Sequence, residues 1–195
     1  CESLKRFDPN SEDRPPIAKY QRPAEFPNGK GFEDFPLQLI SPHPRFSFHT
    51  QMDGKDSFLN DIPDHRLLVD GYYYWPMRIH PDDAKARGIR DNDLVRLYNE
   101  RGAVICAAKL THRMLKGVVH AYASSGVYDP VGEPGKSADR GGCVNLLSSK
   151  KSQISKGHSM GASCCLIEVE RWHAAEVALP AAEEEKQAEK RKAVA

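Results

Sequence analysis

Apolar positions along this chain fall in short blocks, and several of the blocks alternate. "LQLI" (Leu37 to Ile40) is a brief apolar run that reads as a strand. "HRLLVDGYYYWPMRI" concentrates aromatic and branched residues, the composition of strands. In "DLVRLYN" (Asp93 to Asn99), Leu94, Arg96 and Tyr98 fall on one side and Val95, Leu97 and Asn99 on the other. "ERG" then makes a turn, and "AVICAAKLTH" returns, so a hairpin is expected. "GVVHAYAS" (Gly117 to Ser124) and "CCLIEVERW" (Cys164 to Trp172) complete the strand-like set. One helix interrupts it, "HPDDAKARGI": Pro81 suits the first helical position, Asp82 and Asp83 complement the dipole, and Gly88 ends it. About six strands with one or two short helices, tightly spaced and paired non-locally, predict a mainly β fold closed into a barrel.

The ends and one internal stretch read differently. Residues 1–35 are rich in Pro, Gly and charge, an extended segment expected to pack on an upstream domain. Residues 36–173 form the barrel domain, and residues 174–195 an Ala/Glu/Lys-rich polar tail. Ser125 to Gly161 is a long Gly- and Ser-rich coil, and the apolar "VNLL" inside it predicts that part of it docks. No internal sequence repeat is visible. The first residue is Cys, not Met, so a piece or processed product of a longer protein is expected.

Charge and cysteine usage narrow the function classes. The net charge is +1, so no global field draws the chain to nucleic acid. No apolar run approaches the ~20 residues of a bilayer span, so no membrane insertion is expected. The five cysteines include no C-x-x-C pair, which argues against zinc ribbons, iron–sulfur ligation and disulfide scaffolds. They are expected as reduced core thiols in a reducing compartment, the cytoplasm.

Candidate chemistry sits in "SPHPRFSFHTQ" (Ser41 to Gln51), directly after the first strand. Arg45 offers a planar fork for phosphate or carboxylate, and His43, Ser47, His49, Thr50 and Gln51 add donors. The next carboxylate is Asp53, so an anionic ligand suits the cluster, with a plain solvated loop as the alternative. A metal bound by His43 and His49 lacks a third ligand at sensible spacing. In "RGGCVN" (Arg140 to Asn145) paired glycines permit close backbone approach, and Asn145 can read a polar edge or cap a turn. His80 reads as a structural helix cap, and Tyr72, Tyr73, Tyr74 and Trp75 as strand packing, with stacking of a flat ring as the alternative. Nothing marks a catalytic set in this chain.

Taken in order, "LISPHPRFSFHTQ", "IHPDDAKARGIRDNDLVRLYNERGAVICAAKLTHRMLKGVVHAYASSGVYDP", "GGCVNLL" and "CCLIEVERW" resemble the C-terminal domain of the dimethyl-sulfoxide-reductase family. These are molybdenum or tungsten enzymes carrying two pterin dinucleotides. "HPRFSFHTQ" and "DRGGCVN" are most similar to its branch of pyrogallol–phloroglucinol transhydroxylases. The resemblance implies a double-psi β-barrel that binds molybdopterin guanine dinucleotide. It places Ser41, His43, Arg45, His49, Thr50 and Gln51 on the cofactor's pyrophosphate and pterin, and Asn145 and Ser152 in the family's second cofactor loop. Cys143 and Val144 depart from the usual Asn-Pro, and Lys156 stands where many relatives carry Gln and could pair with phosphate. The resemblance also implies that the metal-ligating residue lies in upstream domains of the same subunit. Any iron–sulfur clusters then belong to a small partner subunit, and the chain alone is inactive. The competing expectation is a free-standing double-psi barrel that recognises proteins without a cofactor.

Overall fold

The computed structural model describes residues 6, 20, 22–23, 25–47, 57–123, 125–149 and 164–173. Among the described residues there are eight strands: β1 Leu37–Ile40, β2 Leu67–Val69, β3 Tyr72–Tyr74, β4 Pro76–Ile79, β5 Leu94–Asn99, β6 Gly102–Leu110, β7 Val118–Ala121 and β8 Cys164–Arg171. Two short helices, α1 Ser57–Asn60 and α2 Pro81–Ala86, and a 3-10 helix at Val144–Leu147 complete the elements. The aromatic block predicted as strand is divided into β2, β3 and β4. Asp70 and Gly71 both take positive φ (48° and 80°), which folds β2 and β3 into a hairpin.

Six strands close into a barrel in the order β1-β7-β4-β6-β5-β8, with β8 antiparallel to both β5 and β1. β1 runs parallel to β7, and β4 parallel to β6; β4 and β7 are antiparallel, as are β5 and β6. Parallel neighbours cannot be joined by hairpins, so the connections must cross over strands. The path from β1 to β4 straddles β7, and the path from β6 to β7 straddles β4. Exchanging β1, β4 and β5 with β6, β7 and β8 reproduces the same strand order and the same pairings. These two interlocked crossings related by a pseudo-two-fold are the double-psi β-barrel. The symmetry lies in the topology alone, in keeping with the absence of a sequence repeat.

Alternation decides which residues fill the barrel. Leu37 and Leu39, Met77 and Ile79, Val95 and Leu97, Val104, Cys106 and Ala108, Val119 and Ala121, and Cys165, Ile167 and Val169 belong to one buried cluster. The opposite face of β6, Ile105 and Ala107, is covered by Leu67, Val69, Tyr72 and Tyr74 of the β2–β3 hairpin and by Ala138 and Val131. Cys106 and Cys165 are buried thiols, and burial pushes the Cys106 thiol up to about 12, so it stays protonated and inert.

One rim of the barrel is held by α2. His80 caps it as expected, its Nδ1 accepting from the Asp82 amide at 3.1 Å. Asp83 accepts from the Gly117 amide at 2.7 Å, and Arg87 donates to both carboxylate oxygens of Glu168 on β8 (2.6 and 3.2 Å). The other rim receives the end of β1, the residue before β4, the β5–β6 turn, the end of β7 and the start of β8.

On the β4–β7 pair, Arg78 lies in register with His120, and its Nη1 is 3.4 Å from the His120 Nδ1. Burial first, and the Arg78 charge second, bring His120 from 6.5 down to about 4. The unfolded chain therefore takes up a proton near pH 6.5 that the folded chain refuses until about pH 4. This contribution to stability is complete above pH 6.5 and is lost as pH falls towards 4. His120→Gln is expected to flatten the fall of the urea midpoint across that window, measured at several pH values; an unchanged slope would assign the acid sensitivity elsewhere.

Candidate functional site

The rim opposite α2 gathers the long connections. β1 ends there at Ile40, and the sequence-predicted donor loop follows at once. Ser41 is buried, and the Pro42 carbonyl accepts from the Ala123 amide at 3.0 Å, which ties this loop to the segment leaving β7. His43 and Arg45 are exposed, the Arg45 guanidinium 5.4 Å from the centre of the Phe46 ring. His49, Thr50 and Gln51 lie outside the described residues, as do Ser152 and Lys156. Asn145 is exposed on the 3-10 helix at the same rim. The structure thus brings the first strand's donor loop and the Asn145 segment to one end of the barrel.

A buried carboxylate builds the glycine turn. β6 is longer than β4, which leaves the edge of Ala103 to Ile105 unpaired at the rim. Asp139 takes that edge: its amide donates to the Ala103 carbonyl and its carbonyl accepts from Ile105. Its side chain, fully buried, accepts from the amides of Asp129 (2.7 Å), Gly141 (3.0 Å) and Cys143 (2.7 Å). Such a carboxylate, satisfied by amides rather than a cation, dictates the path of the chain. The glycines are required here: a Cβ on Gly141 would lie 2.1 Å from the Val127 carbonyl oxygen, and one on Gly142 would lie 2.8 Å from Cδ1 of Trp75, at a φ of +76°.

A second polar knot, missed in the sequence, anchors the 3-10 helix. Asn99 continues the inward row of Val95 and Leu97 and arrives buried at the rim. Its Nδ2 donates to the carbonyls of Leu147 (2.9 Å) and Leu166 (3.1 Å), and its Oδ1 accepts from the Arg101 amide. Arg101 Nε donates to the same Leu147 carbonyl, and Nη2 to Glu25, whose carboxylate also accepts from the Leu166 amide. Burial works against the Arg101 charge, but Glu25 and Glu100 outweigh it and hold its pKa above the ordinary value. Three segments, residue 25, the β5–β6 turn and the start of β8, meet under Val144–Leu147. The signal available in the sequence was a polar residue on the core side of an alternating strand.

Between the two loops runs a ladder of rings, Phe46–His65–Trp75–Tyr122–His120, each pair edge-to-face at 4.7 to 5.9 Å. Arg66 is buried with its guanidinium 3.6 Å from the Trp75 ring centre, and burial brings its pKa down to about 10. Among the buried polar atoms here, Ser47 Oγ and Trp75 Nε1 find no hydrogen-bond partner. Buried donors and acceptors are normally satisfied, so these two fit a rim completed by a polar ligand. A separate groove of about 530 Å3 lies outside β5 and β6, lined by Arg96, Arg101, Lys136 and Trp172. Its cations are each already paired with a glutamate, so it offers little to an anion. No group of three or more metal-ligating side chains occurs among the described residues, and no helix among them is long and apolar enough to cross a membrane.

Removing the knot should loosen the Asn145 segment before it disturbs the barrel. Asn99→Ala leaves the Leu166 carbonyl without its Nδ2 donor and weakens the hold on Leu147, a loss of about 2–4 kcal/mol. Chemical denaturation should show that loss, with proteolysis of the intact fold cutting first between β7 and β8.

The donor-rich loop, the glycine turn and the unsatisfied buried atoms gather at one rim, and comparison with known proteins identifies the family. Residues 37–164 match the family model described as the molydopterin dinucleotide binding domain. Over 138 residues the chain is 52% identical to the pyrogallol hydroxytransferase large subunit of Pelobacter acidigallici, covering 71% of this chain and 16% of that protein. It is 34% identical over 160 residues to trimethylamine-N-oxide reductase of Haemophilus influenzae (78% and 18%). It is 35% identical over 168 residues to dimethyl sulfoxide/trimethylamine N-oxide reductase of Rhodobacter capsulatus (83% and 18%). The chain therefore spans less than a fifth of the length of these relatives. Among solved structures, acetylene hydratase from Pelobacter acetylenicus shares the fold, with a TM-score of 0.60 at 13% identity over 80% of this chain and 21% of that one. The chain belongs to the molybdopterin-dinucleotide-binding domain family of molybdenum enzymes.

Proposed function

We propose that this chain is the C-terminal cofactor-binding part of a larger catalytic subunit, and that its loop rim holds molybdopterin guanine dinucleotide, two per molybdenum or tungsten in the parent enzyme. The observation that carries the reading is the convergence on one rim of the Ser41–Ser47 donor loop, the Asp139-pinned glycine turn and Asn145. Arg45 and His43 are exposed donors that reach phosphate oxygens. Thr50, Gln51, Ser152 and Lys156 extend the same loops and add contacts to pyrophosphate and pterin, as does His49. Asn145 presents an amide to the edge of the pterin or guanine. The paired glycines, packed against Val127 and Trp75, fix where the Asn145 segment emerges at the rim.

When bound, the cofactor's metal supplies the redox or oxygen-transfer chemistry, and the role of this chain is to bind and orient the cofactor and exclude water from it. Its similarity to a pyrogallol hydroxytransferase large subunit supports a parent that transfers hydroxyl groups between polyhydroxylated aromatics. Upstream domains of the same subunit then complete the site. Residues 1–35 pack in part against them, residues 36–173 are the barrel domain and residues 174–195 a polar tail. An iron–sulfur small subunit in a cytoplasmic heterodimer completes the assembly.

The test is on the parent enzyme purified anaerobically. Molybdenum and tungsten are measured by mass spectrometry, and guanosine monophosphate after acid release. Two nucleotides per metal are expected; folded protein with neither would reverse the proposal in favour of a protein-recognition barrel. Within the holoenzyme, Arg45→Ala removes a charge-assisted contact and should speed nucleotide loss about tenfold, with an unchanged melting temperature because Arg45 is exposed.

A further inference from the structure

Trp75 is the last residue before β4 and is 1% exposed. Its carbonyl accepts from the Ala107 amide at 3.0 Å, so its backbone is fixed on the edge of β6, beside Asp139 on the same edge. Its ring is packed by four neighbours. His65 and Tyr122 meet it edge-to-face at 5.3 and 5.8 Å, Arg66 lies 3.6 Å from the ring centre, and Gly142 leaves no room for a Cβ against Cδ1. Packing alone would be served by any large ring. The atom that distinguishes Trp from Phe is Nε1, and here that N–H is buried with no acceptor. Buried tryptophan N–H groups usually find a partner, and leaving a donor unsatisfied is destabilising. The donor therefore has a use that the chain by itself does not show.

The surroundings select the acceptor. Nε1 is bonded to Cδ1, the atom against which Gly142 packs, so the N–H lies beside the glycine turn at the loop rim. Arg66 places a positive charge over the same indole in a water-poor setting, and such a charge favours an anionic acceptor over a neutral one. Ser47, whose buried Oγ also lacks a hydrogen-bond partner, follows Phe46 at the head of the same ring ladder. Resting on the cofactor reading above, the geometry points to Trp75 as a binding residue whose indole N–H donates to a phosphate oxygen of the dinucleotide, with Arg66 supplying the favourable charge.

The test separates donor from ring. In the full-length holoenzyme, Trp75 is replaced by Phe and, by genetic encoding, by benzothienylalanine, which keeps the two-ring shape and exchanges the N–H for sulfur. Guanosine monophosphate per metal and the rate of nucleotide loss during gel filtration are measured, with the melting temperature of cofactor-stripped protein. Both variants should lose nucleotide about tenfold faster than wild type, while the stripped benzothienylalanine protein melts at or above the wild-type temperature, because no donor is left buried. Unchanged nucleotide retention in the isosteric variant would overturn the assignment. So would a lower melting temperature of the stripped protein with retention intact, since that would show the N–H serving the fold. Wild-type enzyme holding neither metal nor nucleotide would remove the cofactor reading itself, whereas a loaded wild type with an equally loaded variant removes Trp75 alone.

Discussion

Closure of the barrel is the constraint on which everything else depends. β8 pairs with β5 on one side and β1 on the other, so no strand edge is left open among the six. With each wall strand paired on both sides, the connections leave at the two rims. The parallel pairs β1–β7 and β4–β6 then forbid simple hairpins and force the crossings. Loops far apart in sequence are thereby brought to one rim by hydrogen-bond topology, before any side chain acts.

At that rim the chain spends buried polar groups in two different ways. Asp139, Asn99, Arg101 and Glu25 are satisfied almost wholly by backbone and by one another, and their effect is to fix the course of loops that have little apolar surface. A bonded network centred on buried Asn99 gives the 3-10 helix one position where Val144 and Leu147 alone would give weaker docking. Ser47 and Trp75 are buried without satisfaction. The first kind of group belongs to the fold and the second to what the fold receives.

Much of the barrel was legible from alternation. Val95, Leu97 and Asn99 shared a side in the sequence, and all three are buried. The helix over Pro81, the His80 cap and the docking of "VNLL" followed from local chemistry that tertiary structure does not override. The break of the aromatic block was harder, because β2, β3 and β4 have the same composition and only the Asp70-Gly71 turn separates the first two. Ser41, His43, Arg45 and Asn145 could be suspected as donors, but their convergence depends on strand order, which no single sequence displays. Asn99, Arg101 and Glu25 were invisible as a group because their partners are main-chain atoms of distant segments. Trp75 was read as packing because the lack of a partner becomes apparent only when its surroundings are known.

The pseudo-two-fold explains why chemistry gathers at one end. It exchanges the two rims, so each connection has a counterpart at the opposite end. The path from β1 to β4, residues 41–75, corresponds to the tight path from β6 to β7, residues 111–117. The path from β7 to β8, residues 122–163, corresponds to α2 and its flanks, residues 80–93. Identical topology therefore carries long connections at one rim and short ones at the other. The short pair is closed by its own bonds, Gly117 to Asp83 and the Gln38 amide to the Gly117 carbonyl, and leaves little room for a ligand. The long pair holds the donor loop, the ring ladder and the glycine turn. In a barrel whose wall is symmetric, the asymmetry of these four connections makes one end structural and the other a binding surface.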